Sequence, residues 1–265
     1  MPEIPSVSQP SHARDWVNRL PRALAPQAAA LLRLLKAVEA DPRMRALQVR
    51  GSVARGVADQ FSDLDTRVWI RDDEYDAALA DLPSLARAVG TPLDILFETP
   101  GSPYLFVQFV DGVQLELSTR RTSEAKGWID GEVVLLDRDG LLRNHYEPAA
   151  AWDVGLWLGW AWMHLFDVDK YLRRGSLWEA LIKLEEARTL LLRHHAAETG
   201  VTDPEFGLTS ILDFGGTLPD RLEETVAGLE AADLRRAAYA CGDVLSTYGQ
   251  RPFADFVMSC LATRN

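Results

Sequence analysis

Asp63 and Asp65 stand one residue apart in the stretch GSVARGVADQFSDLDTRV, residues 51–68. Side chains alternate along a strand with period two, so in an extended segment both carboxylates face one side and Leu64 faces the other. Two carboxylates this close repel each other unless a cation lies between them. A hard divalent cation such as Mg²⁺ is the natural occupant, because it prefers oxygen ligands and also binds substrate phosphates. Upstream, Gly51 and Ser52 fall where an expected strand ends and an expected helix begins. Glycine lets backbone amides approach an anion closely, and a helix N-terminus offers free N–H groups. Gly56 keeps the next segment open, and Ser62 is a turn residue. The residue types and spacing therefore point to Mg²⁺ and a nucleoside triphosphate.

The flanking elements must hold these groups in place. PQAAALLRLLKAVEAD has the apolar spacing and Ala/Leu content of a helix. RALQVRGS reads as a strand running into the Gly-Ser turn, and DTRVWI as a second strand. DDEYDAALADLPSLARAVG returns to helical spacing, with Gly90 as its expected C-cap. LDILFE reads as a third strand. YLFVQFV and VQLELST flank Asp111-Gly112, a strong hairpin signal. GEVVLLDRDGLL adds a short strand. Beyond about residue 148 the alternation gives way to helical runs, expected near 151–173, 176–198, 219–229, 231–247 and 252–263. The expected fold is α+β: a mixed sheet with flanking helices over 1–148, then a helix bundle over 149–265. The first ten or so residues, rich in proline, read as a loose arm.

Composition bounds the partners. The chain has 265 residues, 47% hydrophobic and 25% charged, ordinary values for a globular protein with a buried core. A net charge of -11 disfavours a long phosphate backbone, hence nucleic acid, and suits a cationic small molecule. The two cysteines, Cys241 and Cys260, match no zinc spacing and read as buried small side chains in a reducing compartment. MPEIPSVSQPSHARDW lacks the apolar run of a secretory signal, so a cytoplasmic location is expected. PAAAWDVGLWLGWAWMHLF approaches the length of a bilayer span, yet it carries Asp153 and His164 and its tryptophans are interior. A buried bundle helix is the expectation, with no membrane partner.

The pattern Gly-Ser, a spacer with glycine, then Ser-Asp-x-Asp and an apolar run resembles the signature of the DNA polymerase β-like nucleotidyltransferase superfamily. The resemblance is clearest over residues 44 to about 118. The helical half resembles the substrate-binding half of the aminoglycoside nucleotidyltransferases in layout and in the segment KYLRRGSLWEALIKLEEARTLL. The resemblance implies a third carboxylate, Glu116, acting as general base or third metal ligand. Glu116 shares a strand face with Gln114 and Ser118, and Asp94 in LDILFE is its competitor. It further implies one or two Mg²⁺ ions on Asp63 and Asp65, and outer phosphates of ATP or another triphosphate at Gly51 and Ser52. Transfer of AMP to a hydroxyl of a small, aminoglycoside-like acceptor, with pyrophosphate released, would be an antibiotic-resistance activity. Arg55 is a candidate for the triphosphate from the same turn, as is Lys183 or Lys170 from the helical half. A toxin–antitoxin nucleotidyltransferase that binds or modifies a protein partner is the alternative. Oligomeric state is open.

Several other groups have plainer readings. His194 and His195 read as exposed cations complementing a helix C-terminus, although Arg188 and His194 loosely match the Arg…His motif of HEPN-type ribonucleases. Trp152, Trp157, Trp160 and Trp162 read as core. Glu179, Glu185 and Glu186 read as a solvated helix face that could also meet ammonium groups.

Overall fold

A computed structural model describes residues 10–99, 101–146, 153–249 and 252–262. The chain divides into two compact units, Met1–Ala149 and Ala150–Asn265. The boundary expected at Pro148, the proline-rich first nine residues and Trp152 all lie outside the described residues.

The first unit contains α1 (Pro10–Asn18), α2 (Ala25–Ala40), β1 (Met44–Val49), α3 (Gly51–Arg55), β2 (Leu64–Ile70), α4 (Tyr75–Ala80) and α5 (Leu82–Val89). It continues through β3 (Pro92–Phe97), β4 (Tyr104–Phe109), β5 (Gln114–Arg121) and β6 (Val133–Asp137). The strands form one sheet in the order β3-β4-β5-β2-β1-β6. β2 and β5 run parallel and every other neighbouring pair is antiparallel. The β4–β5 hairpin turns at Asp111-Gly112, where Gly112 has φ 89° and Asp111 Oδ1 accepts from Val113 N.

The two faces of this sheet differ sharply. Leu64, Thr66 and Val68 of β2, Leu115 and Leu117 of β5, and Leu105 and Val107 of β4 are buried on one face. There they join a core with Leu31, Leu34 and Leu35 of α2 and Leu82, Ala86 and Val89 of α5. Each fully buried leucine of this kind contributes about 1.5–3 kcal/mol. On the opposite face stand Asp65 and Arg67 of β2, Glu116 of β5 and Gln48 of β1, an arrangement fixed by the period-two alternation. Trp69, Ala46, Val134 and Leu142 make a small satellite cluster at one end of that face.

Two local expectations are corrected, and a third gains its reason. The helix read over 72–90 is a short 3₁₀ turn (Asp72–Glu74) followed by α4 and α5, interrupted at Asp81 just before Pro83. Gly90 caps α5 as expected, its N–H donating to the Ala86 carbonyl, in extended rather than left-handed backbone. Its φ is -174°, and a Cβ there would fall 2.9 Å from Phe109 Cδ1, so close packing explains the glycine. α1 lies upstream of the helix the sequence announced, in a stretch given no element.

The second unit is helical: α6 (Val154–Arg173), α7 (Leu177–Glu198), α8 (Leu208–Asp213), α9 (Ala231–Ser246) and α10 (Ala254–Ala262). α6 begins at Asp153, whose side chain accepts from Leu156 N. α6 and α7 run in opposite directions, with His194 near Val154 and His164 near Glu186. Trp162, Leu165, Leu184, Leu191, Leu234 and Leu245 are fully or almost fully buried in its core. The run read over 219–229 is only a 3₁₀ turn at Leu222–Thr225, hemmed by Pro219 and Gly228, and α8 sits between two segments read as loop. Among the described residues, no helix is long and apolar enough to cross a membrane.

Other expectations in this unit also change. His194 and His195 are buried: His194 Nδ1 pairs with the Val154 carbonyl, and His195 bridges Tyr248 Oη and the Thr217 carbonyl. Arg188 donates to the Thr225 carbonyl and pairs with Glu185. The histidines are therefore structural. Trp157 and Trp162 are core, but Trp160 is 51% exposed. Cys241 is buried and Cys260 only half-buried; both are free thiols.

Candidate functional site

The site begins at Gly51. β1 delivers the chain to Arg50, whose N–H donates to the Asp65 carbonyl at 2.8 Å. α3 then turns away from the sheet. Gly51 has φ +62°, and a Cβ there would fall 1.8 Å from Asp65 Oδ2. The Asp65 carboxylate therefore rests against the Gly51 backbone, in space only a glycine leaves open. The glycine thus serves the first carboxylate of the strand behind it, besides any incoming anion. Gly56, at φ +76°, ends α3 as a left-handed cap with nothing within 4 Å of its missing Cβ.

The loop from Gly56 to β2 is pinned by Ser62. Its hydroxyl accepts from Asp59 N at 2.9 Å and donates to Asp59 Oδ1 at 3.2 Å, while its carbonyl accepts from Gln27 Nε2. Ser62 thus does the work of a turn, and its side chain is engaged there. The loop sets down Asp63, exposed, at the mouth of β2.

Asp65 and Glu116 are cross-strand partners on the parallel β2–β5 pair. Phe106 of β4 opposes Glu116, and Leu96 of β3 opposes Phe106. One row thus runs across the open face from apolar to acidic. Burial, then Asp63, then Glu116 push the Asp65 carboxyl up to about 6, against the opposing fields of Arg50 and Arg55. Burial chiefly, with Asp63 and Glu98, raises Glu116 as well, against Arg50 and Arg67. Shifts of this kind mark carboxylates that share one small volume.

A cleft of about 210 Å³ adjoins the acids, lined by Asp63, Asp94, Leu96, Phe106, Gln114 and Glu116 among others. Among the described residues, no lysine or arginine lines it. Both candidates for the third acid thus face the same cleft. Glu116 is the one in register with Asp65, whereas Asp94 lies on the edge strand β3, with its Oδ1 accepting from Ile95 N. Among the described residues, no group of three His, Cys, Asp or Glu side chains is gathered closely enough to hold a metal ion. Of the three acids expected to converge, Asp65 and Glu116 meet in register on one face and Asp63 stands just ahead of the strand beside the cleft, so the set falls short of a closed cage.

Sequence reasoning missed a second group on the same face. Glu132, buried just before β6, accepts from Gln48 Nε2 at 2.7 Å and from Arg50 Nε at 2.9 Å. Arg67 Nη1 lies 3.7 Å from the same Glu132 Oε1, and Trp69 Nε1 donates to Gln48 Oε1 at 2.6 Å. Burial first, then the neighbouring Arg50 guanidinium, pushes Arg67 down to about 10. Arg67 was visible in principle, being two residues beyond Asp65 and so on its face. Glu132 gave no signal, since 82 residues separate it from Arg50. Of the remaining candidates, Ser52 and Arg55 sit half-buried on α3. Lys183 belongs to the second unit on α7, where its Nζ pairs with Glu186 Oε2 at 2.6 Å. Lys170 pairs with Asp167 on α6.

No family model and no curated protein matches the sequence. Solved structures do show likeness. An aminoglycoside 6-adenyltransferase from Bacillus subtilis is 15% identical, covering 88% of this chain and 91% of its own, at a TM-score of 0.33. A nucleotidyltransferase-like protein from Exiguobacterium sibiricum is 17% identical, covering 84% and 74%, at 0.36. Terminal uridylyl transferase 4 from Trypanosoma brucei with bound UTP and UMP is 20% identical, covering 71% and 60%, at 0.30. The chain is thus similar to nucleotidyltransferases. Identities and scores this low decide no activity, and the chemistry rests on the residues above.

Proposed function

We propose that the chain transfers a nucleoside monophosphate from a triphosphate, with ATP the first candidate, to a hydroxyl of a small cationic acceptor. The observation that carries this reading is the register of Asp65 with Glu116 on the open face, beside Asp63 and the Gly51 turn. Carboxylates raised chiefly by burial, and further by neighbouring acids, are suited to an oxygen-seeking divalent cation. Magnesium needs only one or two carboxylates, since it keeps waters and binds substrate phosphates, so an open donor set fits it. Asp63 and Asp65 would hold it, and it would supply charge neutralisation around the triphosphate.

The chain's own groups do the rest. Glu116, at the junction of the acids and the cleft, takes the proton of the acceptor hydroxyl; burial holds its pKa above the ordinary carboxylate value, which strengthens it as a base. The hydroxyl oxygen then bonds to the α-phosphorus, the bond from that phosphorus to the bridging oxygen breaks, and pyrophosphate departs. The α3 turn, with Ser52 and Arg55, faces the phosphate end. An ammonium-bearing acceptor is favoured because, among the described residues, Asp63, Asp94 and Glu116 line the cleft with no basic side chain, while Leu96 and Phe106 give it an apolar wall. An aminoglycoside is one such acceptor.

A screen of aminoglycosides and other aminated alcohols with labelled triphosphates and MgCl₂, reading product masses and pyrophosphate, tests the proposal. Asp63→Asn with Asp65→Asn abolishes release in the same screen. Turnover unchanged in that double variant refutes the assignment.

A further inference from the structure

On the open face of the sheet, two guanidiniums share one carboxylate. Arg50 Nε lies 2.9 Å and Arg67 Nη1 3.7 Å from the same oxygen, Glu132 Oε1. Among the described residues, neither arginine forms an ion pair with another acid. Asp65 and Glu116 feel the field of Arg50, and Glu116 that of Arg67, without pairing with either. Burying a guanidinium is costly unless its donors are satisfied. Arg67 is a poor fit to that rule: its side chain is only 13% exposed, its Nε is buried without a hydrogen-bond partner, and Trp69 covers it at 5.9 Å. Arg50 uses Nε on Glu132, which leaves its forked terminal nitrogens without a protein acceptor among the described residues.

Glu132 itself is locked. Gln48 holds its second oxygen, and Trp69 holds Gln48 in turn. A carboxylate restrained this thoroughly fixes the two guanidiniums that lean on it. The face also has a polarity. Asp94, Gln108 and Gln114 lie on one side of the Glu116–Asp65 row, and Tyr104, Ser118, Arg67 and Gln48 on the other. Asp94 therefore lies on the cleft side of the row and Arg67 on the other, while Arg50 adjoins the β1 end of the row, its N–H donating to the Asp65 carbonyl.

Resting on the transfer reading, we infer that Arg50 and Arg67 form a paired-guanidinium clamp for the outer phosphates of the nucleoside triphosphate, and that Glu132 is its positioning residue. Planar guanidiniums take phosphate oxygens two at a time, and two of them match the β- and γ-phosphates that leave together as pyrophosphate. The acceptor then occupies the cleft, and the leaving group moves toward the arginine side.

Calorimetric titration of inorganic tripolyphosphate into the full chain, with MgCl₂ and again in EDTA, tests the clamp without any acceptor. Arg50→Gln and Arg67→Gln should each weaken binding at least about tenfold, the scale of a lost charge-assisted pair. Because either change can leave Glu132 buried and unpaired, Arg50→Gln/Glu132→Gln and Arg67→Gln/Glu132→Gln provide the same loss without that burden. Arg71→Gln, an exposed arginine paired with Asp73, is the charge-matched control and should bind like the wild type. Smaller losses in the double variants overturn the clamp. Glu132→Gln alone separates position from charge, since it makes the face more positive. A clamp that needs positioning binds more weakly in this variant, whereas equal or tighter binding removes that role from Glu132. The two readings also fail separately. Arginine-dependent binding in a chain that releases no pyrophosphate with any acceptor leaves the clamp and sinks the transfer, and transfer with arginine-independent binding does the reverse.

Discussion

Replacing Gly51 by alanine isolates one atomic contact. The added Cβ falls 1.8 Å from Asp65 Oδ2, and the closest approach such a carbon makes is 3.0 Å, so the carboxylate must retreat by at least about 1.2 Å. A displacement on the order of 1 Å in a reacting constellation costs about a hundredfold in rate. The backbone adds strain, because φ +62° lies in the left-handed region, where a non-glycine residue loses about 1–2 kcal/mol. Gly56→Ala supplies the control. Its φ is +76° and nothing lies within 4 Å of its Cβ, so it carries the strain without the collision. Urea unfolding should show Gly56→Ala less stable by about 1–2 kcal/mol and Gly51→Ala, which adds the collision, less stable by at least as much. Mg²⁺-dependent pyrophosphate release should fall about a hundredfold in Gly51→Ala and stay near wild type in Gly56→Ala. Equal activity in the two variants would mean that the position of Asp65 against Gly51 has no catalytic consequence, and the site as described would be wrong.

Asp65 carries a pH signature. Its folded pKa of about 6 lies above its ordinary 3.8, so between those values the folded chain binds the extra proton and stability falls as pH rises. In EDTA, Asp65→Asn should be more stable than wild type near neutrality by up to about 3 kcal/mol, with the gap closing toward about pH 4; a gap that is constant with pH contradicts this. Gly90→Ala puts a Cβ 2.9 Å from Phe109 Cδ1 at an extended, unstrained φ. It should lose about 1–3 kcal/mol in urea unfolding by overpacking alone, and no loss would show that Phe109 has room to move. Burial pushes the Cys241 thiol up to about 12, whereas Cys260 is half-buried. A thiol reagent should label one cysteine in the native protein and both in urea, and equal rates for the two in the native state would refute that burial.

The local grammar was readable in the sequence. Period-two alternation put Asp65 on one side of β2 and Leu64 on the other, with Asp63 just ahead of the strand, Asp111-Gly112 announced the hairpin, an Ala/Leu-rich run announced α2, and helical runs announced α6 and α7. These are short-range effects, decided within a few residues by sterics and side-chain spacing. Glycines were read only in part. Gly90 is the cap it looked like and Gly51 begins the expected turn, but the reason each must be glycine lies in the atom pressed against it, here Phe109 and Asp65, from another strand.

Which of Glu116 and Asp94 stands beside Asp65 depended on strand order. β5 leaves its hairpin to lie parallel to β2, and β3 ends at the edge, so only Glu116 comes into register. The pairing of Arg50 and Arg67 through Glu132 likewise had no local trace. Chain segments 82 residues apart meet there only because β6 closes against β1. The histidines of α7 followed the same logic: a helix end that looks solvated in one dimension is buried once Tyr248 and Thr217 pack over it. The sequence by itself determined which residues alternate, turn and cap, since those choices are made by neighbours along the chain. The tertiary structure alone decided which charges meet, since electrostatic and packing partners are chosen by distance through space.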